Sequence, residues 1–124
     1  MDADFYIELS VPQGIFALEP FLNEFPFAVA IGKHDQNEDI VLVQSKASAV
    51  AGFYYEGCKG DVQFYGASVS RSHPGEPEEV MKSLSRAFQR ANLSHRIARI
   101  IHELNEDKEV ASFFAPEASD EPAT

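Results

Sequence analysis

The chain has 124 residues, 44% of them hydrophobic and 24% charged, which is typical of one globular domain and argues against two domains or a disordered chain. Twenty acidic residues against ten basic ones give a net charge of -10. This charge argues against general nucleic-acid binding, because affinity for phosphates requires positive charge.

The first half of the chain predicts strands. Residues 5–11 alternate apolar and polar side chains, the pattern of a strand with one face on a core and the other in water. The apolar spacing that follows predicts a short helix over about 20–24, because Pro20 is tolerated near a helix start. Residues 27–31 and 40–44 then predict a β-hairpin with a long polar tip.

A second hairpin is predicted for residues 49–56 and 61–70. The connection 57–60 contains two glycines, which permit the positive φ angles that tight connections need. The apolar pattern changes phase within the second strand, and a β-bulge near Phe64 would reconcile its two halves. Successive short strands without long helices between them predict antiparallel pairing.

Two helices are predicted after these strands. The first covers residues 77–91, since proline fits the first helical position and acidic residues follow it. Isoleucines and a leucine at helical spacing predict a second helix over 95–104. The apolar stripes of the two segments do not share a face, so we expect a break at 92–94, with Asn92 in a left-handed cap.

The predicted fold is a single α+β domain over residues 1–115. It has an antiparallel sheet of about five strands packed against two C-terminal helices, with a short helix after the first strand. Residues 107–115 allow either a further short helix or a strand. Residues 116–124 predict a disordered acidic tail.

The sequence predicts a cytoplasmic protein that does not enter membranes. Residues 1–11 lack the unbroken apolar stretch of about 7 to 15 residues that a secretory signal needs. The longest apolar runs are far shorter than the roughly 20 residues that span a bilayer. The single Cys58 cannot form an internal disulfide, which agrees with a reducing compartment.

No pattern predicts a metal or cofactor site. Asp35, Asn37 and Asp39 have the alternating spacing of a calcium loop. Ile40 and Lys46, however, stand where that loop requires glycine and glutamate. We interpret the segment as a solvated hairpin tip, because Asp and Asn favour turns.

No catalytic residues are predicted either. Lys59 beside Cys58 favours a nucleophilic thiolate, but a cysteine enzyme also needs a positioned histidine. None of the chain's four histidines stands in a recognisable motif with this cysteine. They are His34, His73, His95 and His102.

The leading hypothesis is a non-catalytic acidic protein-binding module. It would be an immunity protein or inhibitor that neutralises a basic toxin, nuclease or defence enzyme, since negative charge steers association with a cationic surface. The alternative is a cytoplasmic secretion chaperone for an effector protein, although starting with a strand rather than a helix counts against it. A small enzyme of unknown chemistry is the third hypothesis. We expect a monomer or homodimer.

The partner is predicted to dock on the sheet half of the chain. Residues 1–66 contain ten acids and three bases, a net charge of -7. Acidic turns would steer a basic partner, and half-exposed tyrosines would anchor it. The predicted partner-binding residues are Asp35, Glu38, Asp39, Glu56, Asp61, Tyr54, Tyr55 and Tyr65.

Overall fold

The computed structural model describes residues 2–34, 39–44 and 51–115. Within these ranges the chain forms seven strands, one α-helix and two 3₁₀ segments. In chain order they are β1 (Ala3–Ser10), a 3₁₀ helix (Ile15–Glu24), β2 (Val29–Lys33), β3 (Ile40–Gln44), β4 (Ala51–Lys59), β5 (Val62–Val69), α1 (Pro77–Arg90), β6 (His95–Ile101), a 3₁₀ turn (His102–Leu104) and β7 (Glu106–Phe113).

The fold is α+β and its sheets are antiparallel, as predicted. The main sheet has five strands in the order β4-β5-β1-β6-β7, and β2 and β3 form a separate two-stranded sheet. The membership of the main sheet therefore differs from the prediction. The β2–β3 hairpin stands apart, and two strands from the C-terminal region take its place.

The core lies on one side of the main sheet. The α1 helix connects β5 to β6 and packs there with the 3₁₀ helix and the β2–β3 hairpin. Side chains from all of these elements join one hydrophobic cluster. Fully buried members include Ile7 and Leu9 of β1, Leu84 and Phe88 of α1, and Val41 of β3.

The first predicted helix is confirmed. It begins at Pro77 and ends at Arg90, and Asn92 has the expected left-handed conformation, with φ of 60°. The amide of Leu93 donates to the carbonyl of Phe88 at 3.0 Å, which satisfies one of the free carbonyls at the helix end.

The second predicted helix, over 95–104, is wrong, because this segment is strand β6 followed by the short 3₁₀ turn. Its isoleucines fit a helical stripe, but β-branched side chains suit a strand equally well. The strand pairs with β1 on one side and β7 on the other. These two ladders satisfy its backbone, so tertiary pairing outweighs the helical spacing.

The segment after β1 is a 3₁₀ helix rather than the short helix predicted over 20–24. It covers ten residues and contains Pro20 in its interior. Proline has no amide hydrogen to donate and fits poorly inside an α-helix. The tighter 3₁₀ winding still buries Ile15 and Leu18 against the core.

The predicted bulge is present, but on the other strand. The register between β4 and β5 shifts between Tyr55 and Gly57, so Glu56 is the extra residue and Gly57 lies opposite Phe64. β4 also runs on to Lys59, which reduces the predicted four-residue connection to a turn at residues 60–61.

Residues 107–115, for which the sequence allows either a helix or a strand, contain most of strand β7, which runs from Glu106 to Phe113. The predicted tail, 116–124, lies outside the described residues. In the part of the chain that is described, no helix has the length and apolar character needed to cross a membrane.

Candidate partner-binding surface

One face of the main sheet has no described element packed on it. On β1, Phe5 and Ile7 point into the core and are at most 1% exposed, whereas Tyr6 and Glu8 point outward and are only half-buried. The helices and the β2–β3 hairpin share the core with the inward residues. We call the outward surface of the main sheet the open face.

Three aromatic rings occupy the middle of the open face. The strand register places Tyr54, Gly66 and Tyr6 side by side on β4, β5 and β1. Tyr6 stacks on Phe64, with ring centroids 6.1 Å apart and an angle of 12° between the ring planes. Tyr54 is 50% exposed. We call Tyr6, Tyr54 and Phe64 the aromatic platform, a type of surface that often anchors protein partners.

Carboxylates outnumber cations around the aromatic platform. Burial, and then the charges of Glu8 and Glu56, raise the pKa of Tyr6. Burial, followed by the charges of Asp4 and Glu56, raises the pKa of Tyr54. The outward positions of the five strands carry Asp4, Glu8, Glu56, Asp107 and Glu109 against Lys59 and Arg96. The open face is therefore negatively charged around its aromatic centre.

Three of these carboxylates have no cationic partner among the described residues, and two of them, Glu8 and Glu56, flank the aromatic platform. Arg96 lies opposite Glu8 in the register, but its Nε donates to Oε1 of Glu109 at 3.2 Å. Asp4 accepts a hydrogen bond from Nε2 of His102 at 2.8 Å. Among the residues that the structure describes, Glu8 and Glu56 form no ion pair. They are free to bind a cation from outside.

The structure brings two of the predicted residues, Tyr54 and Glu56, together on the open face. Tyr65 does not belong with them, because it is 0% exposed. Its hydroxyl accepts from the amide of Leu42 at 3.1 Å and donates to the side chain of Gln63. Tyr65 is thus a core residue that holds the β2–β3 hairpin on the sheet. A buried ring cannot contact a partner in the folded chain, so Tyr65 does not belong to the partner-binding surface.

Other predicted residues lie around a groove at the β4–β5 turn. Asp39 and Asp61 both line it, in a space of about 260 Å³. Tyr55 is half-buried on the inner side, and its hydroxyl donates to Oδ2 of Asp39 at 3.2 Å. Burial, and then contacts with Cys58 and Asp39, raise the pKa of Tyr55. Asp35 and Glu38 lie outside the described residues.

The groove also has an apolar side. Phe16, at the start of the 3₁₀ helix, is 52% exposed and Ile40 is 38% exposed. Gln63 forms part of the wall, and its side-chain amide donates to the carbonyl of Ile40 at 2.9 Å. The groove mixes apolar and acidic groups, so it is a second, smaller candidate contact region.

A serine and a histidine come together in the core. Oγ of Ser85 lies 2.7 Å from Nε2 of His95, and Nδ1 of His95 bonds the carbonyl of Leu93 at 2.9 Å. Ser85 is 2% exposed and His95 3% exposed. A substrate cannot reach the Ser85 hydroxyl without opening the α1 packing, so this pair is structural in the folded chain.

The described residues form neither a cysteine–histidine pair around Cys58 nor a metal site. Cys58 is exposed at the end of β4. The ring of His34 packs on Tyr55 with centroids 5.0 Å apart, while His95 bonds Ser85 and His102 bonds Asp4. In ranges 2–34, 39–44 and 51–115, no three His, Cys, Asp or Glu side chains are grouped to hold a metal ion.

The sequence reasoning missed part of the open face. Alternation in β1 places Tyr6 and Glu8 on the side that meets water, so the signal for these two residues was available. Phe64 was harder to assign, because its strand also carries a polar inward residue, Gln63, which is only 9% exposed. Because a polar residue stands at an inward position, the two-residue period of β5 is not visible in its apolar pattern.

Comparisons with protein families, with curated proteins and with solved structures find no match for this chain. The open face and the groove are therefore interpreted from their own geometry and charge.

Proposed function

We propose that this chain is a non-catalytic acidic protein-binding module that neutralises a basic partner in the cytoplasm. The partner class is a toxin, nuclease or defence enzyme, and the module acts as its immunity protein or inhibitor. The observation that carries the proposal is the open face, where the aromatic platform is surrounded by carboxylates and no described element covers it.

Charge supports a basic partner. The chain carries -10 overall, and the open face adds a local excess of carboxylates at Asp4, Glu8 and Glu56. Such a field accelerates the encounter with a cationic surface and rejects acidic competitors. The aromatic rings would then supply the apolar contact that gives the complex its lifetime.

The proposal is tested by capturing partners from the products of neighbouring genes, followed by association kinetics of the purified complex. We expect a basic partner whose association rate falls as salt rises from about 50 to about 300 mM, because screening shortens the reach of the charges. A salt-insensitive complex with an acidic partner would overturn the proposal.

Charge reversal on the open face provides the matched comparison. Glu8→Lys with Glu56→Lys should slow association about tenfold or more at low salt. Glu19→Lys with Glu76→Lys, on the 3₁₀ helix and just before α1, changes the net charge by the same amount at two exposed acids away from the open face. An equal loss in both variants would show that only net charge matters, and the docking surface would have to be withdrawn.

The secretion-chaperone alternative leads to a different outcome of the same experiments. Its partner would be an unfolded apolar segment of an effector, and such chaperones are commonly dimers. A dimer by light scattering together with a salt-insensitive complex of this type would replace the inhibitor proposal.

A further inference from the structure

We infer that Tyr54 and Glu56 form a binding site for an arginine side chain on the open face, which we call the arginine seat. The guanidinium would stack on the tyrosine ring and donate hydrogen bonds to the carboxylate. The inference rests on the proposed function and specifies which group of a basic partner this surface takes. It is carried by the packing of both side chains on Gly66.

Gly66 brings the two groups together. A Cβ atom at this position would lie 2.4 Å from Cε2 of Tyr54 and 2.8 Å from Oε2 of Glu56. The ring and the carboxylate therefore rest directly on the same backbone position, one beside the other. Only glycine leaves room for this arrangement, since real Cβ atoms do not approach other atoms so closely.

The β-bulge keeps the carboxylate on the open face. Glu56 is the extra residue of β4, and the next residue, Gly57, has a φ of 146° that favours glycine. Gly57 has no side chain to cover Glu56 on that side. The bulge thus presents the carboxylate beside Tyr54 without a competing side chain from the following position.

Both groups are open to a partner. Tyr54 is 50% exposed, and Glu56 is exposed and forms no ion pair within the described part of the chain. Glu8 lies two strands away, opposite Phe64, and likewise forms no ion pair with a described residue. An arriving cation meets an aromatic surface and free carboxylates.

Arginine fits this seat better than lysine. A planar guanidinium can stack on an aromatic ring and at the same time donate two parallel hydrogen bonds to a carboxylate. A lysine ammonium is a compact, strongly hydrated charge that offers no flat surface to the ring. Cation–π stacking at an exposed site contributes about 0.5 to 1 kcal/mol, equivalent to roughly twofold to fivefold in affinity.

The test is an NMR titration of the full chain with three glycine-flanked peptides that differ only at the central residue. They carry arginine, lysine or the uncharged isostere citrulline. We expect the arginine peptide to shift the resonances of Tyr54 and Gly66 and to bind about threefold more tightly than the lysine peptide. The citrulline peptide should show no saturable binding at this seat.

Variants locate the seat. Tyr54→Leu and Glu56→Gln should each remove the preference for arginine, whereas Phe16→Leu and Glu19→Gln should retain it. The first control also removes an exposed aromatic ring, but from the groove. Proton spectra of each variant establish that the fold is intact before binding is compared.

The failures are distinguishable. Equal binding of the arginine and lysine peptides, or shifts confined to the groove around Phe16, would overturn the arginine seat while leaving a basic partner in place. Conversely, a seat that prefers arginine together with an acidic, salt-insensitive captured partner would overturn the proposed function and leave the seat standing.

Discussion

Oγ of Ser85 donates a hydrogen bond to Nε2 of His95 inside the core, across 2.7 Å. The direction follows from the other ring nitrogen, because Nδ1 faces the carbonyl of Leu93, which can only accept. Nε2 of the neutral ring is then the acceptor. The side-chain amide of Gln89, an exposed residue, in turn donates to Ser85 Oγ at 3.3 Å and links the buried pair to the protein surface.

This arrangement makes stability depend on pH. Burial lowers the pKa of His95, only partly opposed by its bond to Leu93, so the folded state holds a neutral ring. The unfolded chain takes up a proton below its ordinary pKa of about 6.5. The contribution of His95 to the free energy of unfolding should therefore be constant above that pH and fall by up to about 1.4 kcal/mol per unit as pH drops below it.

Urea unfolding at about pH 7.5 and about pH 5.5, on either side of the ordinary histidine pKa, measures this loss. His95→Gln should flatten the pH dependence, whereas His73→Gln, a half-buried histidine outside the core network, should keep it. A loss between the two pH values that is undiminished in His95→Gln would assign the titration to another group.

The buried Ser85–His95 pair also predicts the cost of removing the serine hydroxyl. Ser85→Ala leaves Nε2 of His95 without its donor inside the core, whereas the exposed amide of Gln89 can bond water instead. An unsatisfied buried polar group costs about 1 to 3 kcal/mol. Ser83→Ala is the control, because Ser83 is more exposed on the same helix. Similar unfolding free energies for the two variants would contradict the structural role of Ser85.

Tyr65 and Tyr54 should respond differently to loss of the same hydroxyl. Tyr65→Phe leaves the amide of Leu42 and the side-chain oxygen of Gln63 unsatisfied in the core, so we expect a loss of about 1 to 3 kcal/mol in the free energy of unfolding. Tyr54→Phe removes a hydroxyl from an exposed ring and should change stability by less than about 0.5 kcal/mol. Denaturant unfolding of both variants checks the contrast, and equal losses would refute it.

Gly66 predicts a coupling between sequence-distant residues. Gly66→Ala forces the far ends of Tyr54 and Glu56 away from the sheet. Because both side chains are exposed and can swing into solvent, we expect a cost below about 1 kcal/mol, smaller than for overpacking inside a core. Tyr54→Ala removes the closer of the two obstacles, so the double variant should recover part of that loss. The coupling energy is measured by a double-mutant cycle in urea. Additive effects would mean that the ring does not rest on Gly66.

Local patterns predicted much of the fold because they report local physics. The alternation of β1, the short apolar runs of β2 and β3, and Pro77 at the first position of α1 each depend on neighbours along the chain. The strand β6 could not be recognised this way. Its isoleucines satisfy both periods, and only pairing with β1 and β7, which are distant in sequence, selects the strand.

The candidate site was also only partly predictable from the sequence. The charge and the strand pattern select Tyr54 and Glu56, which lie on the open face. They also select Tyr65, which is a tyrosine in a similar strand context but lies in the core. What separates them is the β4–β5 register and the inward hydrogen bonds of Tyr65 to Leu42 and Gln63. A single sequence does not encode those relations in any local pattern.

The acidic segment Asp35, Glu38 and Asp39 gives the last prediction, because it competes with the open face as the source of steering. Of the three, only Asp39 lies within the described residues, where it accepts a hydrogen bond from Tyr55 and lines the groove. Reversing all three to lysine changes the net charge from -10 to -4.

If the segment steers a basic partner, the triple variant should associate about tenfold or more slowly at low salt. Asp39 is half-buried and accepts a hydrogen bond from Tyr55, so the loss of that bond, about 0.5 to 1.5 kcal/mol, is the main stability effect we expect. Comparison with Glu8→Lys and Glu56→Lys then locates the contact. Loss of short-range pairing at the open face would raise the dissociation rate, whereas loss of steering from the segment would lower only the association rate. Unchanged association kinetics in the triple variant would mean that the segment is a solvated loop that takes no part in steering.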